Sequence, residues 1–324
     1  MKKTTRNVLI GTGVAAASAA VCGVMSYSMT KNLMEIALDR KEPKNISKGR
    51  ELISGVKGFS EVASELQTFA SALENAGCEE VEIMSRDGIK LVGHWYECEN
   101  PERVIIAMHG WRSSWSSDFG AISSFWHKNN CCVLYAEQRG QNNSGGDYMS
   151  FGLLERYDCL DWIYWALERT FNSLPIYLGG LSMGATTVLM TAGLDLPDKV
   201  KGIVSDCAFT SPRAIWKHVV ESNLHLPYSL YGSVADGMCR KKIQMGSGDY
   251  STLDAMKVCN TPILFIHGTE DTFVPVEMTY ENYKACVSPK RLLVVPGANH
   301  AMSYFMNKSG YETAVREFWN DYDN

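Results

Sequence analysis

Gly180-Leu181-Ser182-Met183-Gly184 sets a hydroxyl between two glycines. A serine hydroxyl is a weak nucleophile until it is exposed to a base in a fixed geometry. Upstream, Ile176-Tyr177-Leu178 reads as a buried strand, and downstream Ala185 to Gly193 reads as an apolar helix. Glycines on either side allow a sharp strand-to-helix turn that lifts the hydroxyl above a sheet. The helix N-terminus adds N–H groups and a positive dipole where oxyanion charge develops. The chemistry would be acyl transfer through a covalent intermediate on Ser182. A serine capping an ordinary helix is the plainer reading, and the strand-to-helix context outweighs it.

Such a serine needs a base and an orienting acid, in the chain order Ser, acid, His. His267-Gly268-Thr269-Glu270-Asp271 follows the apolar run Ile263 to Ile266, and Gly297-Ala298-Asn299-His300 follows Leu292 to Val295. Both segments lie past the carboxyl ends of strands, where open α/β sheets build their sites. Asp271 is expected to hold and stabilise the imidazole of His300, which takes the serine proton and returns it to the leaving group. Glu270 and Asp206 are the rival acids. His267 is expected to be structural, packed beside the acid loop. His109-Gly110-Trp111 ends the run Val104 to Met108. The oxyanion hole is assigned to the backbone N–H groups of Trp111 and Met183, and the Trp111 ring either lines an acyl pocket or packs its own loop.

Nothing calls for a metal or an organic cofactor. The ten cysteines contain no C-x-x-C pair, so zinc ribbons and redox dithiols are unsupported. A disulfide framework belongs to small secreted domains, and this chain has 324 residues. Most cysteines are expected to be buried as small hydrophobes. A formal charge of −5 leaves nucleic-acid binding without an electrostatic footing. A hydrophobic fraction of 45% with 21% charged residues excludes a disordered chain.

The elements that must position these groups alternate. Val81 to Met84 and Ile89 to Val92 flank Arg86-Asp87-Gly88, a hairpin signal. Arg103–Met108, Cys132–Tyr135, Pro175–Leu178, Gly202–Ser205, Pro262–Ile266 and Arg291–Val295 are short apolar runs with helical patterns between most of them. That rhythm implies a mostly parallel α/β sheet covered by helices on both faces. Ile46 to Ala76 reads as helix, ended by Gly77, within a helical extension over 31–80. The interval 209–256 breaks the rhythm and is expected to be a small inserted cap.

Lys2, Lys3 and Arg6 precede an uncharged stretch from Asn7 to Thr30. As a helix its roughly 24 positions span roughly 36 Å, enough to cross a hydrocarbon core. The expectation is a single N-terminal membrane anchor with the body outside the cytoplasm. A signal peptide cleaved near Ala17-Ser18-Ala19, giving a secreted protein, and an ordinary buried helix are the competing readings.

His109-Gly110, Glu137-Gln138-Arg139-Gly140 with Ser144-Gly145, Gly180 to Gly184, His267-Gly268 with Asp271, and His300 together resemble the α/β-hydrolase superfamily, in its serine esterase and peptidase-like branch. The resemblance covers roughly 81–319. Members usually carry Asp where Glu137 stands, and often His or Tyr near Gln141. The resemblance implies an α/β-hydrolase domain over 81–324 that cleaves small-molecule carboxylic esters through an acyl-enzyme. Amidase, peptidase, thioesterase or acyltransferase chemistry would use the same residues, and a silent binding scaffold is the non-catalytic alternative. Dehalogenases and epoxide hydrolases of this fold need an Asp nucleophile, which Ser182 replaces.

Overall fold

Three strands are buried at every position: β3 (Arg103–Met108), β4 (Cys131–Ala136) and β7 (Ile263–Gly268). Continuous apolar runs of this kind form where a sheet is covered on both faces. In the computed structural model, which describes residues 26–41 and 59–323, all eight expected runs are strands. The others are β1 (Glu79–Met84), β2 (Lys90–Tyr96), β5 (Ile176–Leu181), β6 (Val200–Asp206) and β8 (Lys290–Val295). They form one eight-stranded sheet in the order β1-β2-β4-β3-β5-β6-β7-β8. β2 pairs antiparallel with β1 and β4, and every other pairing is parallel. The β1–β2 hairpin turns at Gly88, whose φ of +82° explains the glycine.

Helices cover the two faces. On one lie α4 (Glu155–Arg169) and α5 (Met183–Thr191), and on the other α3 (Trp115–Lys128) and α11 (Lys308–Tyr322). Helix α5 is buried at all of its positions, so the helix that begins at the serine turn is a core element with no polar face. Helix α2 (Phe59–Glu74) ends at Gly77, with φ +79°. The rest of the expected 46–76 helix, residues 46–58, lies outside the described residues.

The interval between β6 and β7 is helical, with α6 (Pro212–His218), α7 (Gly232–Ile243) and α8 (Thr252–Met256). Helix α8 does not belong to the cap. Its Ala255 and Met256 pack in the core beside α5, so the part standing over the site ends short of residue 251. The cap has its own cluster, in which Trp216, Ala235 and Cys239 meet Met183 and Phe209 of the body.

Residues 1–25 of the expected membrane segment lie outside the described residues. Its last five residues belong instead to α1 (residues 26–38), which packs on protein. Thr30, Met34 and Leu38 fall at four-residue spacing and are buried, the stripe of an amphipathic helix. Ser26 Oγ donates to the Leu230 carbonyl in the cap at 3.3 Å. No helix among the described residues is long and apolar enough to cross a membrane.

The tightest passage in the fold is at α5. A Cβ on Gly184 would stand 1.7 Å from the Met108 carbonyl oxygen, whereas one on Gly237, within α7, would meet nothing within 4 Å. Gly184→Ala is therefore expected to cost about 3 kcal/mol or more, since backbone cannot yield as a flexible side chain does. Gly237→Ala should gain about 0.5–1 kcal/mol from helix propensity. Urea unfolding of the two variants checks the contrast, and equal stabilities would contradict the close approach.

Candidate active site

The Ser182 turn is built by contacts that only glycine tolerates. A Cβ on Gly180 would lie 2.4 Å from the Gly184 carbonyl oxygen, so β5 and α5 nearly touch across the bend. Between them Ser182 takes φ +55° and ψ −114°, a strained conformation that costs on the order of 1–3 kcal/mol. Its N–H donates to the Asp206 carbonyl at 2.9 Å, which anchors the turn to β6 and leaves the hydroxyl free to face the loops.

His300 Nε2 lies 2.9 Å from Ser182 Oγ, and His300 Nδ1 lies 2.7 Å from Asp271 Oδ2. Asp271 Oδ1 accepts the Phe273 and Val274 amides at 3.0 and 2.8 Å. Its Oδ2 also faces His267 Nε2 at 3.1 Å. The partners assign both tautomers. His267 Nε2–H points at Asp271 Oδ2 and the Val274 carbonyl, and its Nδ1 accepts the Thr279 hydroxyl at 2.7 Å. His300 then donates from Nδ1 and offers a bare Nε2 to the serine. Burial alone would raise the Asp271 pKa, but His300 and His267 outweigh it and hold the carboxyl well below its ordinary range. Burial likewise opposes the His300 imidazolium, yet the Asp271 carboxylate prevails and raises its pKa above the usual histidine value. The edge of Phe273 closes one side of His300, with ring centroids 5.0 Å apart.

The loop after β3 lies against the serine, for a Cβ on Gly110 would be 3.5 Å from Ser182 Cβ. His109 is fully buried and kept neutral, its pKa pushed down by burial. Its Nδ1 donates to the Gly110 carbonyl at 2.8 Å, while Nε2 accepts the Gln138 amide at 3.2 Å. The Gly110 carbonyl and the Trp111 N–H belong to one planar trans peptide, so pinning the first aims the second the opposite way. Asp118 holds the loop from beneath, with Oδ2 accepting the Gly110 N–H at 2.6 Å and Oδ1 the Ser113 hydroxyl at 2.5 Å. Neither the Trp111 nor the Met183 amide has an acceptor among the described residues. Gln138 completes the brace, donating to the His109 carbonyl and accepting the Thr187 hydroxyl of α5 at 2.9 Å.

The rival acids stand elsewhere. Glu270 is exposed. The Asp206 carboxylate accepts the Ser303 hydroxyl at 3.0 Å, and burial pushes its pKa up to about 6. Cys207, Asp271 and His300 bring a thiol, a carboxylate and an imidazole within 4.8 Å of one another. That donor set does not suit a resident metal, because the carboxylate and imidazole are committed to the bonds above and burial holds the thiol protonated. The nine described cysteines are free, and most are buried. Glu137 uses its extra methylene to reach two sides, accepting from His94 Nε2 at 2.9 Å and the Asn143 amide at 2.5 Å. Gln141 Oε1 accepts the Arg112 amide at 2.6 Å.

Asp118, the His109 ring and Phe273 escape sequence reasoning. Their roles depend on peptide orientation and loop approach, which no spacing encodes. The Trp111 ring lies over Phe151 with centroids 6.3 Å apart and donates from Nε1 to the Ala37 carbonyl of α1 at 2.9 Å. It therefore lines an apolar pocket and ties its loop to α1 at once.

Known proteins resemble this chain in sequence and in fold. YqkD of Bacillus subtilis is 28% identical over 240 residues, covering 73% of this chain and 77% of its own length. Among solved structures, the esterase Pf2001 of Pyrococcus furiosus superposes with a TM-score of 0.64 at 23% identity, over 81% of this chain and 94% of that one. An acylaminoacyl peptidase bound to Z-Gly-Gly-Phe-chloromethyl ketone superposes with a TM-score of 0.55 at 17% identity, over 75% of this chain but 41% of its own. Residues 117–322, from the first turn of α3 to the last of α11, match the prolyl oligopeptidase family. That span holds the serine turn, both post-strand loops and the cap between them. An α/β-hydrolase sheet with this match over more than half its length makes the chain a member of the prolyl oligopeptidase family, and a serine hydrolase.

Proposed function

We propose that the protein is a carboxylic-ester hydrolase working through an acyl-enzyme on Ser182. The observation that carries this reading is the run of hydrogen bonds from Ser182 Oγ to His300 Nε2 and from His300 Nδ1 to Asp271. His300 takes the hydroxyl proton as Oγ attacks the ester carbonyl, and Asp271 stabilises the imidazolium that forms. The carbonyl oxygen, now negative, is received by the Trp111 and Met183 amides. His300 returns its proton to the departing alcohol, then activates a water that releases the acid and restores the serine. Amide and peptide cleavage by the same residues is the second reading, favoured by the family match. The ester reading is supported by overlap along nearly the whole length of an esterase, against less than half of an acylaminoacyl peptidase.

Ser182→Ala should lower kcat for a chromogenic ester by on the order of 10⁶-fold, as expected for a nucleophile acting within a unit, and abolish fluorophosphonate labelling. His300→Ala should cost nearly as much. Turnover above a tenth of wild type in the folded Ser182→Ala protein would reject the assignment.

Only neutral His300 acts as base, so kcat/KM should rise with pH through the imidazole titration. With its pKa raised by Asp271, that rise should lie above the ordinary histidine value of about 6.5. Asp271→Asn should lower kcat by about 10⁴-fold and shift the residual rise to lower pH, because burial then acts on His300 with only the weaker pull of Asp206 and Asp118 against it. A pH–rate profile of the variant measures both, and an unmoved or upward-shifted limb would contradict the role given to Asp271.

A further inference from the structure

An apolar pocket lies between α1 and the cap, reaching the site through Trp111 and Phe273. Helix α1 supplies Leu33, Met34 and Ala37, and the cap supplies Trp216, Val220 and Ala235. Its lining includes Trp111, next to Gly110 on the loop against Ser182, and Phe273, whose ring packs edge-to-face with that of His300. No charged side chain lines it. A group bearing a carboxylate or an ammonium would have to shed its water there without a partner, whereas an alkyl or aryl chain would gain by entering.

We infer that α1 is the roof and the length gauge of the acyl site, and that the substrates are esters of uncharged, apolar carboxylic acids. The inference rests on the esterase reading and extends it to the acyl group. The acyl chain is the occupant because it stays bonded to Ser182 after the alcohol leaves, and a roofed cavity suits the group that stays. The roof is not loosely laid. Arg112, next to the oxyanion loop's Trp111, donates from Nε and Nη2 to the Ile36 carbonyl and from Nη2 to the Asp39 carbonyl at 2.6–2.9 Å. Trp111 Nε1 takes the Ala37 carbonyl. These are the carbonyls that a helix end leaves without partners, so the oxyanion loop caps the helix that roofs the pocket. Lys242 of the cap adds an ion pair to Asp39 at 2.5 Å.

The test uses the full chain and p-nitrophenyl esters from acetate through butyrate and octanoate to dodecanoate, with alkyl acetates of matching alcohol length alongside. Wild type should prefer octanoate to acetate, and alcohol length should matter little. Filling the cavity from either wall, with Leu33→Trp on α1 or Ala235→Trp on α7, should lower the octanoate-to-acetate ratio of kcat/KM by about tenfold or more. Met34→Ala, which enlarges it, should move the preference toward dodecanoate. Thermal denaturation identifies the variants that fold, and the two fillers stand on different elements, so loss of one leaves the other decisive. A ratio that moves by less than about threefold in the folded fillers, or a dependence on alcohol length in place of acyl length, overturns the inference. Wild type that hydrolyses no ester and escapes fluorophosphonate at Ser182 overturns the esterase reading itself. Labelling and turnover with a flat acyl profile leave that reading intact and sink this one.

Discussion

A carboxylate held ionised inside the protein is the constraint around which the site is arranged. Removing Asp271 from water costs several kcal/mol unless its lone pairs are met, and here two amides and two imidazoles meet them. Each of those partners is also a positioning device. The Phe273 and Val274 amides bend the loop after β7 back under the carboxylate, which sets the Phe273 ring against His300. His267, inside β7, reaches the same oxygen as His300 and so fixes where the second imidazole can bind. The charge thereby sets the imidazole's orientation, its tautomer and its affinity for a proton in one step.

The nucleophile is positioned by steric means. The order of strands reverses direction around β3, with β4 on one side and β5 on the other, and a crevice opens at such a switch point. Two loops emerge there: the His109–Trp111 reversal from β3 and the serine turn from β5. They can approach closely because Gly110 presents no side chain to the Leu181 carbonyl and Gly184 none to the Met108 and His109 backbone. Strain at Ser182 is tolerated because α5 behind it is buried throughout and cannot rotate to relieve it.

Much of this was legible in the sequence, for identifiable reasons. Strands covered on both faces, such as β3, β4 and β7, leave unbroken apolar runs, and the turn at Gly88 marked the β1–β2 hairpin. Glycines flanking a serine between a strand and a helix leave a local mark as well. The oxyanion loop's supports left none, because the Asp118 carboxylate and the His109 ring act through the direction of a single peptide. Residues 26–30, at the end of the uncharged stretch, were read with it for a related reason. An apolar stripe at helical spacing has the same appearance whether lipid or protein covers it. Only Thr30, Met34 and Leu38 packed on the body show which partner took residues 26–38. Residues 252–256 rest on the core, although the sequence marks no break between them and the helices before them.

The docking of α1 also bears on how the chain is made. Its Ser26 contacts Leu230, 204 positions later in the chain. Its apolar stripe must therefore wait, uncovered, until those 204 positions have been made, a state in which chaperones or aggregation compete with folding. His300 arrives later still, 118 positions after the serine. A nascent chain thus presents the Ser182 hydroxyl without the His300 imidazole until those 118 positions have followed.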